Sequence, residues 1–185
     1  MNKDVTNIKK TQNQFDPSLI SEIMNSVDTN NRANVIKIIE ELPPADIADI
    51  IQLLRSSERT SFLDIIKDHF DPEILSDLEE GVREEVINLL GHNFVAEILP
   101  KLETDDAVHV IEDLKEDDKN IILNKIPKSD REELQLSLNY PDDSAGRLMS
   151  LDFVATPPDW DVGRTIDFLR DEKDLPNEFY EIYIV

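Results

Sequence analysis

The sequence has 185 residues, of which 41 are acidic and 19 are basic, so its net charge at pH 7 is −22. This excess of negative charge, in a chain without a cluster of Lys or Arg, argues against nucleic-acid binding and favours cations or basic partners. The absence of Cys excludes disulfides, thiolate zinc sites and cysteine nucleophiles. No apolar run approaches the ~18–20 residues needed to cross a bilayer and no signal peptide is evident, so we expect a soluble chain.

The N-terminal residues 1–15 are polar and contain few apolar side chains, which predicts a flexible tail. Asp16 followed by Pro17 is typical of a helix N-cap and a first helical residue, so we expect the first helix to begin near residue 17. From residue 16 to residue 139 the pattern predicts one helical domain.

Three sets of apolar residues with the spacing i, i+3, i+4 and i+7 predict short amphipathic helices in this domain. Further helix starts are indicated by Asp71-Pro72, by Thr104, and by a capping box at Ser129 and Glu132. The three sets are Val35, Ile38, Ile39 and Leu42; Ile47, Ile50, Ile51 and Leu54; and Ala107, Val110, Ile111 and Leu114. Further short helices are expected at 57–66, 72–79, 82–90, 93–99, 117–125 and 129–138.

Helices of about ten residues are rarely stable alone because their nucleation is costly, so they must bury their apolar stripes against one another. The segments 42–47 and 102–107 have similar sequences and repeat the same kind of helix entry. We therefore predict a mainly α fold, in which short helices form a superhelical stack.

Residues 140–185 follow a different pattern. Residues 153–155 and 181–185 have the composition of strands, and the apolar residues between Val162 and Arg170 have helical spacing. A β-α-β unit of about 45 residues buries too little apolar surface to be stable alone. We therefore interpret this segment as an incomplete α/β unit, in a chain that is part of a longer protein.

The run from Tyr140 to Met149, followed by Phe153-Val154-Ala155 and by Asp159-Trp160-x-Val162, resembles a junction in MgtE-type magnesium transporters. At that junction a helical N domain passes into the first of two cystathionine-β-synthase (CBS) domains. The sequences Leu-Pro-Pro-Ala-Asp at 42–46 and Leu-Glu-Thr-Asp-Asp at 102–106 also resemble that family's N domain. The resemblance implies an MgtE N-type domain over 16–139 and the start of a truncated CBS domain over 140–185.

The resemblance further implies a Mg²⁺-sensing regulatory region on the cytoplasmic side of the cell membrane, which itself transports nothing. In that family, Mg²⁺ bound between acidic surfaces of the N and CBS domains favours the closed pore. The implied partners are Mg²⁺ ions, a second copy in a homodimer of the full-length protein, and a membrane-spanning pore domain beyond the C-terminus. Two acidic segments agree with this, since residues 101–120 carry eight acidic and three basic side chains, and residues 141–185 carry eleven and four.

The same resemblance implies the metal-binding residues. It places carboxylate ligands at Glu73 and Asp105, with Asp106 as a neighbouring candidate, and a main-chain carbonyl ligand at Arg147. The three acids also have a purely structural explanation, because the helix dipole favours acids in a first turn. His109 stands where the family has an acid, and because neutral imidazole is a poor Mg²⁺ ligand we expect it to be an ordinary surface histidine.

Two other classes of function remain open. A helical-repeat scaffold that binds a protein and no metal would have the same stacked amphipathic helices. An acid/base enzyme would need a carboxylate with an orienting partner, and neither that nor a Gly-rich phosphate loop is present, so we expect no catalytic residues. CBS domains often bind adenine nucleotides, but no Gly-x-x-Ser/Thr-x-x-Asp stretch precedes Val185, so we expect no cofactor-binding residues either.

Overall fold

Short helices, separated by prolines and tight turns, occupy most of the chain up to residue 138 in the computed structural model. The described residues are 17–141, 143–151, 153–172, 175–176 and 179–185. The predicted tail, residues 1–15, lies outside them. The helices are α1 Pro17–Asp28, α2 Arg32–Ile39, α3 Pro44–Leu53, α4 Ser56–Ile66, α5 Glu73–Asp77, α6 Glu80–Leu90, α7 His92–Ile98, α8 Thr104–Glu112, α9 Glu116–Leu123, α10 Lys128–Leu138 and α11 Val162–Asp171.

Two 3-10 helices and two strands complete the described structure. The 3-10 helices extend α4 and α7 by one turn at Lys67–His69 and Leu99–Lys101. The strands are β1 Val154–Thr156 and β2 Ile182–Ile184. Among the residues that the structure describes, no helix is both long and apolar enough to span a bilayer.

The helices up to α10 pack in two rows. In one row α3 packs on α5, α5 on α8, and α8 on α10; in the other, α4 packs on α2 and α6, and α7 packs on α6 and α9. The side chains between the rows form one apolar core, in which Ile51, Phe62, Leu75 and Ile111 are fully buried. The predicted mainly α fold, a superhelical stack of short helices, is confirmed.

The apolar stripes that predicted these helices face this core. The stripes of α3 and α8 are buried completely, whereas in the stripe of α2 two residues are buried and two are partly buried. The buried residues are Val35, Ile39, Ile47, Ile50, Ile51, Leu54, Ala107, Val110, Ile111 and Leu114, and the partly buried ones are Ile38 and Leu42.

The helix starts are confirmed in two places and wrong in one. Pro17 is the first residue of α1, as predicted, and Asp71 accepts a hydrogen bond from the Glu73 amide at 3.0 Å where α5 begins. The predicted capping box at Ser129 and Glu132 is wrong. Helix α10 begins one residue earlier, directly after a proline, and the Ser129 hydroxyl donates to the carboxylate of the next residue at 2.8 Å.

The α/β unit after the stack has the order strand, helix, strand and buries few of its side chains. β1 and β2 are parallel, with Val154 opposite Ile182 and Thr156 opposite Ile184, and α11 lies between them in sequence. Val154 and Thr156 are buried, whereas every residue of β2 is exposed and α11 has no buried residue. One face of this unit is therefore uncovered in the described structure.

Candidate functional site

The first turn of α8 carries two adjacent carboxylates. Helix α8 begins at Thr104, which is buried, so Asp105 and Asp106 are its second and third residues and both are half-buried. The free amides of a first turn and the positive end of the helix dipole favour negative charge at this place. The Oδ1 atom of Asp105 is nevertheless buried without a hydrogen-bond partner among the described residues. This oxygen has lost water and gained no protein donor in exchange.

Burial raises the pKa of the Asp106 carboxyl above its ordinary value, and the negative charge of Asp105 raises it further. His109 opposes these effects and lowers the pKa of Asp106, whereas Asp77 on the neighbouring α5 raises it. Burial also raises the pKa of Asp77, with Asp49 on α3 as a second cause. A row of mutually repelling carboxylates therefore runs across α3, α5 and α8, in a form that a cation would stabilise.

Asp106 faces a cleft between the helical stack and the α/β unit, with a volume of about 640 Å³. One wall is formed by the stack and contains five acidic side chains and one basic one, Lys101. The described residues of the opposite wall are apolar and lie directly before β1 and after α11. The acidic residues are Glu73, Glu103, Asp106, Asp130 and Glu133, and the residues of the opposite wall are Leu151, Phe153, Leu175 and Pro176.

The structure brings two of the four predicted metal-site residues together. Glu73, at the start of α5, and Asp106 line the same cleft. Asp105 is next to Asp106 in the chain but is not among the residues described as lining the cleft. Arg147 lines a different cleft, together with Glu112 near the other end of α8.

The side chain of Arg147 is buried and has partners of its own. Its Nη1 donates to the carbonyl oxygen of Ser137 at 3.1 Å, and its Nε lies 3.5 Å from Oε2 of Glu112. Glu112 follows Asp106 by six residues, which is about 9 Å along a helix axis. The charged group of Arg147 is therefore directed toward the C-terminal end of α8, away from the carboxylates of the first turn.

His109 is an exposed side chain on α8. Its Nδ1 atom lies 3.1 Å from Oε1 of Glu112, one turn further along the helix. This position agrees with the expectation of a surface histidine. It lies close enough to Asp106 to lower the pKa of that carboxyl.

The sequence did not indicate Glu103, Asp130 or Glu133 as part of the site. Asp130 and Glu133 are three residues apart and so share a face of α10, which the sequence alone shows. What it could not show is that α10 packs on α8 and turns this face toward Asp106.

The oxygen ligands of this cleft suit a hard cation that keeps its waters better than one that is coordinated by protein atoms alone. Among the described residues, no three His, Asp or Glu side chains lie close enough together to hold an ion. Mg²⁺ takes oxygen ligands, keeps several of its waters and often contacts one or two carboxylates directly. Glu73 and Asp106 in one cleft, with three further acids around it, match those requirements.

Comparison with known families shows which class of protein has this stack. The profile of the MgtE intracellular N domain matches residues 42–143, more than half of the chain. The chain therefore belongs to the MgtE intracellular N-domain family. No curated protein sequence matches the chain.

Two solved structures have the same fold. One is the cytosolic domain of the Mg²⁺ channel MgtE in complex with ATP, with a TM-score of 0.77 and 22% identity over 90% of this chain and 68% of that one. The other is the soluble part of a magnesium transporter, with a TM-score of 0.71 and 18% identity over 91% of this chain and 66% of that one. This chain thus spans about two thirds of the length of each.

Proposed function

We propose that this chain is the Mg²⁺-sensing regulatory region of a magnesium transporter or channel, on the cytoplasmic side of the membrane. Mg²⁺ held between the helical stack and the α/β unit favours the closed state of a pore formed elsewhere in the protein, and the chain itself transports no ion. Membership of the MgtE N-domain family supports this role, as does the likeness of fold to parts of two Mg²⁺ transport proteins.

The observation that carries the proposal is the composition of the cleft at the start of α8. Its acidic wall belongs to the stack and its apolar wall to the α/β unit, so an ion bound there acts on the relative position of the two units. The raised pKa of Asp106 shows that its charge is poorly stabilised by the described residues. A bound cation would offset this unfavourable charge.

The carboxylates would act through simple electrostatics. Glu73 and Asp106 are the residues that would hold hydrated Mg²⁺, directly or through retained waters. When bound, the ion would supply positive charge and take oxygen ligands, and no covalent bond of the chain is made or broken. Without it, the neighbouring acids of the stack repel one another, so the closed arrangement is less favourable.

We assign residues 16–139 to the N domain and residues 140–185 to the start of a CBS domain that continues in a longer protein. The uncovered apolar residues of α11 and β2 support this division, because a parallel α/β sheet normally buries both faces. The homodimer and the membrane-spanning pore domain belong to the same proposal.

Thermal unfolding in Mg²⁺, against NaCl of equal ionic strength, tests this function. A ligand at 100 times its Kd stabilises the native state by ~2.7 kcal/mol, so Mg²⁺ is expected to raise the Tm of the chain. The variant Glu73→Gln is expected to reduce this shift. The matched control Glu41→Gln removes the same charge from an exposed position between α2 and α3 and is expected to leave the shift unchanged.

Two outcomes would contradict the proposal. An equal loss of the shift in both variants would indicate general charge screening by a divalent cation, with no specific site. Unfolding of the parent chain that is indifferent to Mg²⁺ would favour a helical-repeat scaffold that binds a protein partner.

A further inference from the structure

We propose that Arg147 fastens the turn at residues 143–147 to the helical stack, so that the pivot between the stack and the α/β unit lies between Arg147 and Val154. The change of sequence pattern at residue 140 places the boundary earlier, before this turn. A boundary at residue 140 would make the turn part of the hinge. A pivot after Arg147 makes the turn move with the stack.

Arg147 reaches two helices of the stack at once. Its Nη1 donates to the carbonyl oxygen of Ser137, a fully buried residue of α10, and its Nε lies 3.5 Å from Glu112, the last residue of α8. The Arg147 side chain is itself buried. The guanidinium thus donates a hydrogen bond to α10 and forms an ion pair with α8. This single side chain therefore joins the turn to the ends of two packed helices.

The turn is also ordered by its own backbone. The Ser144 hydroxyl donates to the carbonyl oxygen of Pro141 at 2.7 Å, and the Arg147 amide donates to the carbonyl oxygen of Ser144 at 3.1 Å. The ring of Tyr140 packs so closely on Gly146 that a Cβ atom there would lie 2.6 Å from its Cδ1. The turn is thus packed against Tyr140, the second residue after α10.

The chain beyond Arg147 has a different character. Leu148, Met149 and Phe153 are exposed and Ser150 and Leu151 are half-buried, so no side chain described between Arg147 and Val154 is fully buried. Segments with few buried side chains open at low cost. Buried structure resumes at Val154, in β1.

The position of this pivot bears on the acidic cleft. Helix α8 carries Asp106 at its start and Glu112, the partner of Arg147, at its end. The acidic wall and the turn therefore belong to one body. Of the opposite wall, Leu175 and Pro176 lie beyond the pivot, and Leu151 and Phe153 lie within the pivot segment. Movement at the pivot widens or closes the cleft without breaking the contacts of Arg147. This link to Mg²⁺ rests on the proposed function, while the position of the pivot does not.

Distances between spin labels test the pivot directly, since a chain without Cys accepts single cysteine pairs. One pair joins Asn124, after α9, to Ala145 in the turn, and a second joins Asn124 to Asp171 at the end of α11; all three side chains are exposed. We expect a narrow distance distribution for the first pair and one at least about twofold wider for the second. Equal widths, whether both narrow or both wide, would overturn the proposal.

The variant Arg147→Gln tests the fastening, with Arg170→Gln as a control that removes the same charge from an exposed side chain of α11. Arg147→Gln is expected to widen the first distribution and to speed hydrogen exchange at the Leu148 amide by about tenfold or more. Arg170→Gln is expected to change neither. If Arg147→Gln does not fold, Arg147→Lys takes its place. It keeps the positive charge but lacks the planar guanidinium, so we expect it to widen the distance distribution of the first pair in the same way. An unchanged first pair in the folded variant would overturn the role of Arg147.

Discussion

Two opposing effects act on Asp106. The dipole of α8 favours its negative charge, whereas burial and the neighbouring charge of Asp105 disfavour it. The raised pKa of Asp106 shows that burial and repulsion exceed the favourable effects. In the proposed Mg²⁺-sensing role, this cost would favour ion binding, because the ion stabilises the state in which it binds.

Asp106→Asn is therefore expected to stabilise the metal-free chain at neutral pH. Because the pKa of Asp106 is raised on folding, the native state binds the proton more tightly, and the cost of the carboxylate is present above that raised pKa. The cost disappears as pH falls through the folded pKa toward the ordinary value near 4. Urea unfolding should show a gain of no more than about 1 kcal/mol, since the group is half-exposed and screened, with a smaller gain at lower pH.

The control for this variant is Asp117→Asn, an exposed acid in the first turn of α9. There the helix dipole acts without comparable burial, so the substitution is expected to destabilise the chain by a few tenths of a kcal/mol, about 0.3 or more. Destabilisation by both variants would show that the dipole also dominates at Asp106 and that its charge is not held at a cost.

Pairs of helices in the stack are joined by cations as well as by apolar side chains. Arg59 is the fourth residue of α4. It donates to the carbonyl oxygens of Ile51 and Leu54 at the end of α3, each at 3.0 Å. Lys119, at the same position of α9, donates to the carbonyl oxygen of Glu112 at the end of α8, at 3.0 Å. The last carbonyls of a helix lack partners within it and form the negative end of its dipole. These cations supply the missing donors.

Replacing Arg59 tests the importance of this arrangement. Arg59 is 6% exposed and also pairs with Glu85 of α6, so Arg59→Met removes the donor from two carbonyls and the ion pair from Glu85. We expect a loss of about 3 kcal/mol in the free energy of unfolding, measured in urea. Arg55→Met, at an exposed residue one turn earlier, is expected to change it by no more than about 0.5 kcal/mol. Similar small effects of both variants would show that apolar packing alone joins α3 to α4.

The elements that the sequence predicted are those with a local signal. The stripe at Ile47, Ile50 and Ile51 predicts α3 because helical periodicity survives in any tertiary context. The buried role of Arg59 has no such signal, since its acceptors are backbone carbonyls of another helix. The capping box at Ser129 failed for a local reason, because Pro127 fixes the extended backbone directly before α10 and moves its start forward.

The candidate site depends on contacts distant in sequence, and it was predicted less completely. The resemblance implies ligands at Glu73 and Asp105, with Asp106 as a neighbouring candidate. The packing of α5 on α8 brings Glu73 and Asp106 to one cleft, which the sequence alone does not show. The acids of α10 were missed because nothing local shows which helix packs on α8. Arg147 was expected to contribute its main-chain carbonyl. The structure shows in addition a buried side chain that contacts Ser137 and Glu112, which the sequence did not indicate.

The molecule as a whole has one substantial core and one unit that is nearly without a core. The apolar cluster of the stack extends from Ile23 to Leu134, whereas in the α/β unit the buried side chains among the described residues are Val154 and Thr156, and Tyr180 is 92% exposed. Burial of apolar surface is the main source of stability, so the two units differ strongly in their own stability. Their coupling then depends on the surface where they meet.

Unfolding followed by two probes makes this difference measurable. Trp160, the single tryptophan, lies in the α/β unit, with its ring centroid 5.3 Å from that of Phe168 and 4.5 Å from the Arg164 guanidinium. Its fluorescence therefore reports the α/β unit. Far-ultraviolet circular dichroism is dominated by the helices of the stack. In metal-free buffer we expect the fluorescence midpoint in urea to precede that of the dichroism. Mg²⁺, but not Na⁺ of equal ionic strength, should draw the two midpoints together, because an ion shared between the units couples their unfolding. Coincident transitions without Mg²⁺ would show that the units unfold as one cooperative body and that no ion is needed to join them.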